Sequence, residues 1–388
     1  MCKEKVNYTL KGKITLIIPT HNRHDHLDRI LNYYKTFDIR KLIADSSKEE
    51  YGNKNKYDIE YFHYPDVPIL VKIADIVKKV KTPYVFMCAD DDFIVPESIK
   101  KCIDFLENHP DYSSVQGRYI KFIPIEGDVL FKPTYLHCIN YHIDAEDPVS
   151  RMKQHMSLFM HVIYSIHKTE SFQQVYSLLK NFSIEKVGRL VEIAACLIIV
   201  INGKHKMIPV FYSGRESNPY SMGATHEVFE NIINNPEFSS QYQAFIKLIS
   251  THLSKSQGFD IDEAKIYVLE AIDNYINKFL PYFKKFQSGE YEKIKGIKLY
   301  LHRLKKLIYQ SLEIFFPHTF KILRNREFFR RYAYIFLKNY NEIFKIRRFV
   351  LTYPIKTQDA FINQKINFKN FISFSFWKGL INSYLINQ

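Results

Sequence analysis

Three consecutive carboxylates, Asp90-Asp91-Asp92, follow the apolar run Tyr84-Val85-Phe86-Met87-Cys88-Ala89 and precede Phe93-Ile94-Val95-Pro96. Negative charge packed at the exit of a buried strand is costly unless it splays into water or shares a cation. Carboxylate oxygens are hard donors that suit Mg²⁺ or Mn²⁺. Asp90 and Asp92, separated by one residue, fit the metal-ligand pair, with Asp91 and Asp92 as the alternative, and the remaining carboxylate is left to order a sugar hydroxyl. Two further polar segments stand just after β-rich runs. Thr20-His21-Asn22-Arg23 follows Ile14 to Pro19, and Asp45-Ser46-Ser47 follows Lys41 to Ala44. His21, His24 and His26 have no cysteine or second cluster beside them, so they read as loop and helix-surface residues, not as metal ligands.

The elements that must hold these groups alternate. Ile14 to Pro19 is predicted as a strand, Leu27 to Phe37 as an amphipathic helix, and Lys41 to Ala44 and Ile59 to Tyr64 as strands. Pro68 to Val80 has helical spacing with Ile69, Ile73, Ile76, Val77 and Val80 as its apolar positions, and Tyr84 to Ala89 is the fourth strand. A helix from Glu97 to Asn108, opened by Pro96, and a strand from Ser113 to Ile125 follow. Glu126 to Pro148 reads as loop and Arg151 to Ser165 as helix. Glu185 to Ile201 reads as a helix stopped by Asn202-Gly203, and Met207 to Tyr212 as a last strand. This alternation predicts an α/β fold with a largely parallel sheet, and such sheets bind ligands beyond the carboxyl ends of their strands. Asp45 and the three aspartates both fall on that edge.

Beyond Pro219 helical patterns take over: Glu227 to Ile233, Phe238 to Leu253, Asp262 to Phe279, Lys295 to Phe315 and Phe328 to Phe349. The Pro, Gly, Ser and Asn of Ser217 to Gly223 divide a domain of residues 1–220 from a mainly α-helical domain of residues 221–388. Charge divides the chain too. From Lys278 onward there are 22 basic and 6 acidic side chains, net +16, which leaves 33 against 35, net −2, for the rest. Five cysteines without a C-x-x-C pair argue against a disulfide or zinc framework and for a reducing, cytoplasmic setting. Met1 to Lys5 does not read as a signal peptide. The longest apolar stretch, Ile193 to Ile201, is far short of the roughly 20 residues a spanning helix needs.

In this order the motifs resemble those of a family 2 glycosyltransferase with a GT-A, Rossmann-like fold, over roughly residues 12 to 215. Ile17 to Arg23 resembles the first nucleotide-binding segment, which implies donor contacts from Pro19, Thr20, Asn22 and Arg23. Asp45-Ser46-Ser47 resembles the acidic turn that receives the base and ribose, and Asp90-Asp91-Asp92 the D-x-D metal and diphosphate site. Glu192, with Gly203 eleven residues on and then Pro209, resembles the acidic-motif helix whose carboxylate serves as catalytic base. The chain departs from the pattern at Val67-Pro68-Ile69-Leu70, where an Asn-Gly segment is usual, and at Val191-Glu192, where the family has a Glu-Asp pair.

The resemblance implies transfer of a sugar from a nucleotide-sugar donor to a hydroxyl on a glycan, lipid-linked saccharide or protein, with inversion and with Mg²⁺ or Mn²⁺ on the leaving diphosphate. Displacement at the anomeric carbon needs a base. Glu192 fills that role, with Glu185 as its rival and Asp144, Glu146 and Asp147 in a loop within conceivable reach. His155, His161 and His167 are read as acceptor-region residues, and Lys72 has a weak claim on the donor. The interleaved cations and aromatics of Leu299 to Ile308 and Phe328 to Phe336 suit an anionic surface such as the inner face of a plasma membrane, acidic acceptors or a homo-oligomer contact, and equally a solvated helical face. Two other classes stay open: a catalytically silent glycan-binding scaffold of the same fold, and a nucleic-acid-binding protein, against which stands the lack of a helix-turn-helix or RNP-like signature.

Overall fold

The computed structural model describes residues 10–125, 128–138, 140–182, 186–217, 226–288, 340–353 and 372–373. The chain divides into two compact units. The first comprises residues 1–118, 140–213 and 220–279, and the second residues 119–139, 214–219 and 280–388.

The first unit is a mixed α/β structure built on a parallel sheet. Its elements begin with β1 (Ile14–Thr20), α1 (His24–Tyr33), β2 (Arg40–Asp45), β3 (Glu60–His63), α2 (Ile69–Ile76) and β4 (Tyr84–Met87). They continue with β5 (Phe93–Ile94), α3 (Pro96–Asn108) and the first half of β6 (Tyr112–Ile125). β1 pairs in parallel with β2 on one side and β4 on the other, and β2 with β3. Ile14, Leu16, Ile17 and Ile18 are fully buried, as are Leu42, Ile43 and Phe86, the continuous apolar signature of strands covered on both faces.

The segment read as a loop, 126–148, contains two strands, β7 (Asp128–Pro133) and β8 (His142–Ile143). The helix expected from Arg151 to Ser165 is α4 (Pro148–Ser157), opened by the Asp147 carboxylate accepting from Ser150 N. Past it the chain forms β9 (Ile166–Lys168), antiparallel to both β4 and β6, and α5 (Thr169–Leu179), neither of which is among the expected elements.

α6 (Gly188–Asn202) is buried on nearly every face, including Ile193 through Ile201 without a break, so it must be covered all round. α4, α5 and the helix Ser239–Gln257 surround it. Arg151 closes its carboxyl end, donating Nε to Val200 O (2.7 Å) and Nη2 to Ile201 O (2.8 Å). Gly203 follows with φ of 171°, extended backbone open to any residue. Its requirement is space: a Cβ there would lie 2.7 Å from Ser113 Cβ on β6. β10 (Lys204–Glu216) then returns, antiparallel to β8 and paired with β5.

The helices Ser239–Gln257 and Ile261–Asn274 belong to this first unit. The cause is α6, whose outer face needs the buried Phe245, Ile246, Ile249 and Leu253 as cover.

In the second unit the later half of β6 pairs with β7, Phe122 opposite Phe131, and β7 pairs with Ile372–Ser373. The helix Tyr340–Thr352 is tied to β7 by Arg347 Nε on Asp128 Oδ1 at 2.9 Å. The helix Leu280–Ser288 brings Phe283 against His137. The helix expected over Lys295 to Phe315 and the first part of that over Phe328 to Phe349 lie outside the described residues.

Candidate functional site

Strand register decides what meets at the sheet edge. Thr20 stands opposite Asp45 in the β1–β2 pair, and Ile17 opposite Met87 in the β1–β4 pair. The three polar segments therefore leave the sheet side by side. Thr20 Oγ1 donates to Asp90 Oδ2 at 2.7 Å, joining the first to the third across seventy residues. Arg23, just before α1, places one guanidinium nitrogen 3.1 Å from Asp90 Oδ1 and the other 2.8 Å from Asp91 Oδ2. The cation that the aspartates require is in this state a side chain of the same unit.

Asp90, Asp91 and Asp92 are all buried. Burial and the neighbouring Asp91 charge push the Asp90 carboxyl above its usual range, against the opposing pull of Arg23, Thr20 and Arg29. His26, buried close to the same cluster, is driven well below its usual value by burial and by the positive charges of Arg23 and Arg29.

Asp45 is fully buried and saturated. Oδ1 accepts from Ser47 N (2.8 Å) and Ser47 Oγ (2.5 Å), while Oδ2 accepts from Tyr61 Oη (2.7 Å) and pairs with His24 Nε2 (2.8 Å). Burial raises its pKa, but these four contacts outweigh burial and leave the carboxyl below its usual value. Asp45 thus builds the turn, and the groups that the turn exposes are set by it. Asn22 adopts φ of 53°, a left-handed conformation that asparagine tolerates, and its N–H reaches Ser47 Oγ at 2.7 Å. His21 Nδ1 lies 2.9 Å from Ser46 O, and Ser46 N donates to Thr20 O. Pro19, opposite Ala44 in the ladder, carries the strand into this loop.

Lys72 is the residue whose importance the sequence understated. It is 1% exposed, and its Nζ donates to Thr20 O (2.6 Å) and Ser46 Oγ (2.7 Å), locking the first two segments together from below. Burial lowers its pKa to about 8, with Asp45 and Asp90 opposing the shift. Tyr61 was also unread: its hydroxyl meets Asp45 and accepts from Tyr51 N, while Tyr51 Oη donates to Asp28.

Glu192 lies on α6 in the same unit, about one-third exposed, with His161 Nδ1 3.7 Å from its carboxylate. It bears electrostatically on Tyr176, whose hydroxyl reaches Met87 Sδ, three residues before Asp90. Glu185 lies outside the described residues. His155 and His167 are fully buried and cannot present themselves to an acceptor; only His161 of that trio is partly exposed. His155 pairs with Tyr141 Oη, and His167 Nε2 lies 3.1 Å from Ile163 O.

The donor chemistry of three adjacent carboxylates suits a hard divalent ion, yet the three are not equivalent. Both oxygens of Asp90 are engaged, by Thr20 and Arg23, whereas the Arg23 contact to Asp91 is with one oxygen. Among the described residues no group of three His, Cys, Asp or Glu is placed to enclose a metal by itself, so an ion there would draw further ligands from a bound molecule.

No family model matches this chain, and no curated protein matches it. Among solved structures it is similar to S. aureus TarS 1-349, with a TM-score of 0.45 at 12% identity over 73% of this chain and 76% of that one. It is similar to S. aureus TarS 1-349 in complex with UDP-GlcNAc with a TM-score of 0.41 at 13% identity, over 74% and 95% of the two chains. Among the described residues no helix is long and apolar enough to cross a membrane.

Proposed function

We propose that the chain is a nucleotide-sugar-dependent glycosyltransferase of the GT-A type, acting with inversion on a hydroxyl of a glycan, lipid-linked saccharide or protein. The observation that carries this reading is the meeting of Thr20–Arg23, Asp45–Ser47 and Asp90–Asp92 beyond the carboxyl ends of three parallel strands, locked by Thr20 to Asp90 and by Lys72. A parallel sheet offers its ligand site there.

In this reading the turn built by Asp45 receives the nucleoside, and Asn22 and Arg23 border the diphosphate. A divalent ion, when bound, neutralises charge on the departing diphosphate, and Asp91 and Asp92 would hold it. Asp90 instead anchors Thr20 and orients Arg23. Glu192 takes the proton of the attacking hydroxyl, its carboxylate steadied by His161.

The test is a thermal-shift series with UDP, UDP-GlcNAc, GDP, CDP, CMP and dTDP, with and without Mg²⁺ or Mn²⁺. Binding stabilises only the folded state that holds the ligand. A shift with one nucleotide, lost in Asp91→Asn/Asp92→Asn, supports a donor site. No shift with any of them refutes the transferase reading.

A further inference from the structure

A second feature of the first unit is unused by the proposed reaction. A groove of about 1170 Å³ runs between α5 and the helix Ser239–Gln257, reaching Lys78 beyond the end of α2. Lys78, Lys247 and Lys255 line it and are exposed, and among the described residues no Asp or Glu lines it. Asp75, whose carboxyl feels Lys78, is engaged by Lys79 at 3.4 Å and by Tyr64 Oη at 2.7 Å. Lys247 and Lys255 lie eight residues apart on one helix, roughly 12 Å along its axis at 1.5 Å per residue. A single small anion cannot span them, whereas a chain with regularly spaced charges can.

The lining between the lysines is hydroxyl and amide: Gln174, Ser177, Asn181, Thr251 and Ser256. These groups suit the hydroxyls of sugar rings. Among the described lining residues Phe182 is the one Phe, Tyr or Trp, so they offer no run of successive stacking surfaces of the kind that holds single-stranded nucleic acid. Lys72, which holds the nucleotide turns, belongs to α2, and Lys78 stands six residues further along, past the end of that helix; none of Thr20, Arg23, Asp45, Lys72 or the three aspartates lines the groove.

We infer that this groove binds an extended anionic polysaccharide, a glycan carrying a charge on successive sugar units. Its binding stands on the groove alone. Its use as a foothold for the acceptor rests on the transferase reading, and would raise the local acceptor concentration at the site as a second tethered contact does.

The experiment measures binding of fluorescein-labelled alginate oligosaccharide, neutral dextran oligosaccharide and single-stranded poly(dT) to the full chain by polarisation. Wild type is compared with Lys78→Glu/Lys247→Glu/Lys255→Glu and with the corresponding triple Lys→Gln variant. Three lost contacts between exposed charges predict that alginate binding falls about tenfold in the Gln variant and further in the Glu variant. Binding should weaken with salt, and dextran should show none. The nucleotide-induced thermal shift should be unchanged in both variants, which separates this site from the donor site. Alginate affinity equal in all three proteins overturns the inference. A preference for poly(dT) that the variants abolish also overturns it, in favour of a nucleic-acid groove.

Discussion

His155 makes a sharp test of the packing around α4. The ring is fully buried, its Nδ1 meets Tyr141 Oη, its Nε2 has no hydrogen-bond partner among the described residues, and Phe159 stands 5.0 Å from it. Burial, with a smaller repulsion from His161, lowers its pKa to about 3, against about 6.5 in an unfolded chain. A base with a lowered folded pKa is protonated first in the unfolded state, so between about pH 6.5 and 3 the unfolded chain binds more protons and stability falls as the pH drops. At pH 5.0 the unfolded histidine gains about 2 kcal/mol from protonation and the folded one almost nothing, while at pH 7.5 neither gains appreciably. His155→Asn keeps an acceptor for Tyr141 and abolishes the titration. Its constant cost of repacking cancels when its stability loss from pH 7.5 to 5.0 is compared with that of wild type. His167, lowered to about 4, and His205, lowered well below its usual value by burial, act in the same direction in both proteins, and the raised Asp90 acts oppositely in both. The assay is urea unfolding followed by far-UV circular dichroism at the two pH values. A wild-type loss exceeding the variant's by about 2 kcal/mol is expected. A difference below about 0.5 kcal/mol would refute the neutral buried state of this histidine.

Other outcomes follow from single contacts. Gly203→Ala should cost about 1–3 kcal/mol in urea unfolding, because the new methyl meets Ser113 and its backbone nitrogen, not because of φ. Lys72→Met leaves Thr20 O and Ser46 Oγ without their charged donor and should cost roughly 2 kcal/mol of stability together with at least tenfold in nucleotide affinity. Unaltered nucleotide titrations would show that the turns hold their shape without it. Glu192→Gln should lower the turnover number about a hundredfold or more and leave the donor thermal shift intact. Full turnover in this variant would move the base elsewhere, Glu185 first.

The edge of the sheet was legible because β1, β2 and β4 are covered on both faces and appear as unbroken apolar runs that stop at polar residues. Lys72 was not. It sits among Ile69, Ile73 and Ile76 in a helical pattern, and a cation there reads as solvated; only the fold supplies Thr20 O and Ser46 Oγ as its partners. His155 and His167 failed for the reverse reason, since polarity suggested exposure where Tyr141 and a backbone carbonyl satisfy one nitrogen of each ring inside the core. β8 went unread because it is two residues long and gains its ladder bonds from β10, far along the chain, whereas β7 pairs with the adjoining end of β6, Ile125 opposite Asp128.

Charge at the site argues for how an ion would act there. Asp90 and Asp91 share the single guanidinium of Arg23, and the charge of Asp91 already pushes the neighbouring Asp90 carboxyl up before any ligand arrives. A nucleoside diphosphate adds more negative charge to a buried edge, where repulsion is only weakly screened. Asp91→Asn therefore should act in opposite directions under two conditions. In EDTA it removes one repelling carboxylate and strengthens diphosphate binding over wild type, by at least about tenfold. With Mg²⁺ present, wild type gains affinity and the variant does not, since one proposed ligand is gone. Isothermal titration with the nucleotide selected by the thermal-shift series reads both effects. Equal weakening of Asp91→Asn in EDTA and in Mg²⁺ would mean that Asp91 contacts the nucleotide directly, and the charge argument would fall.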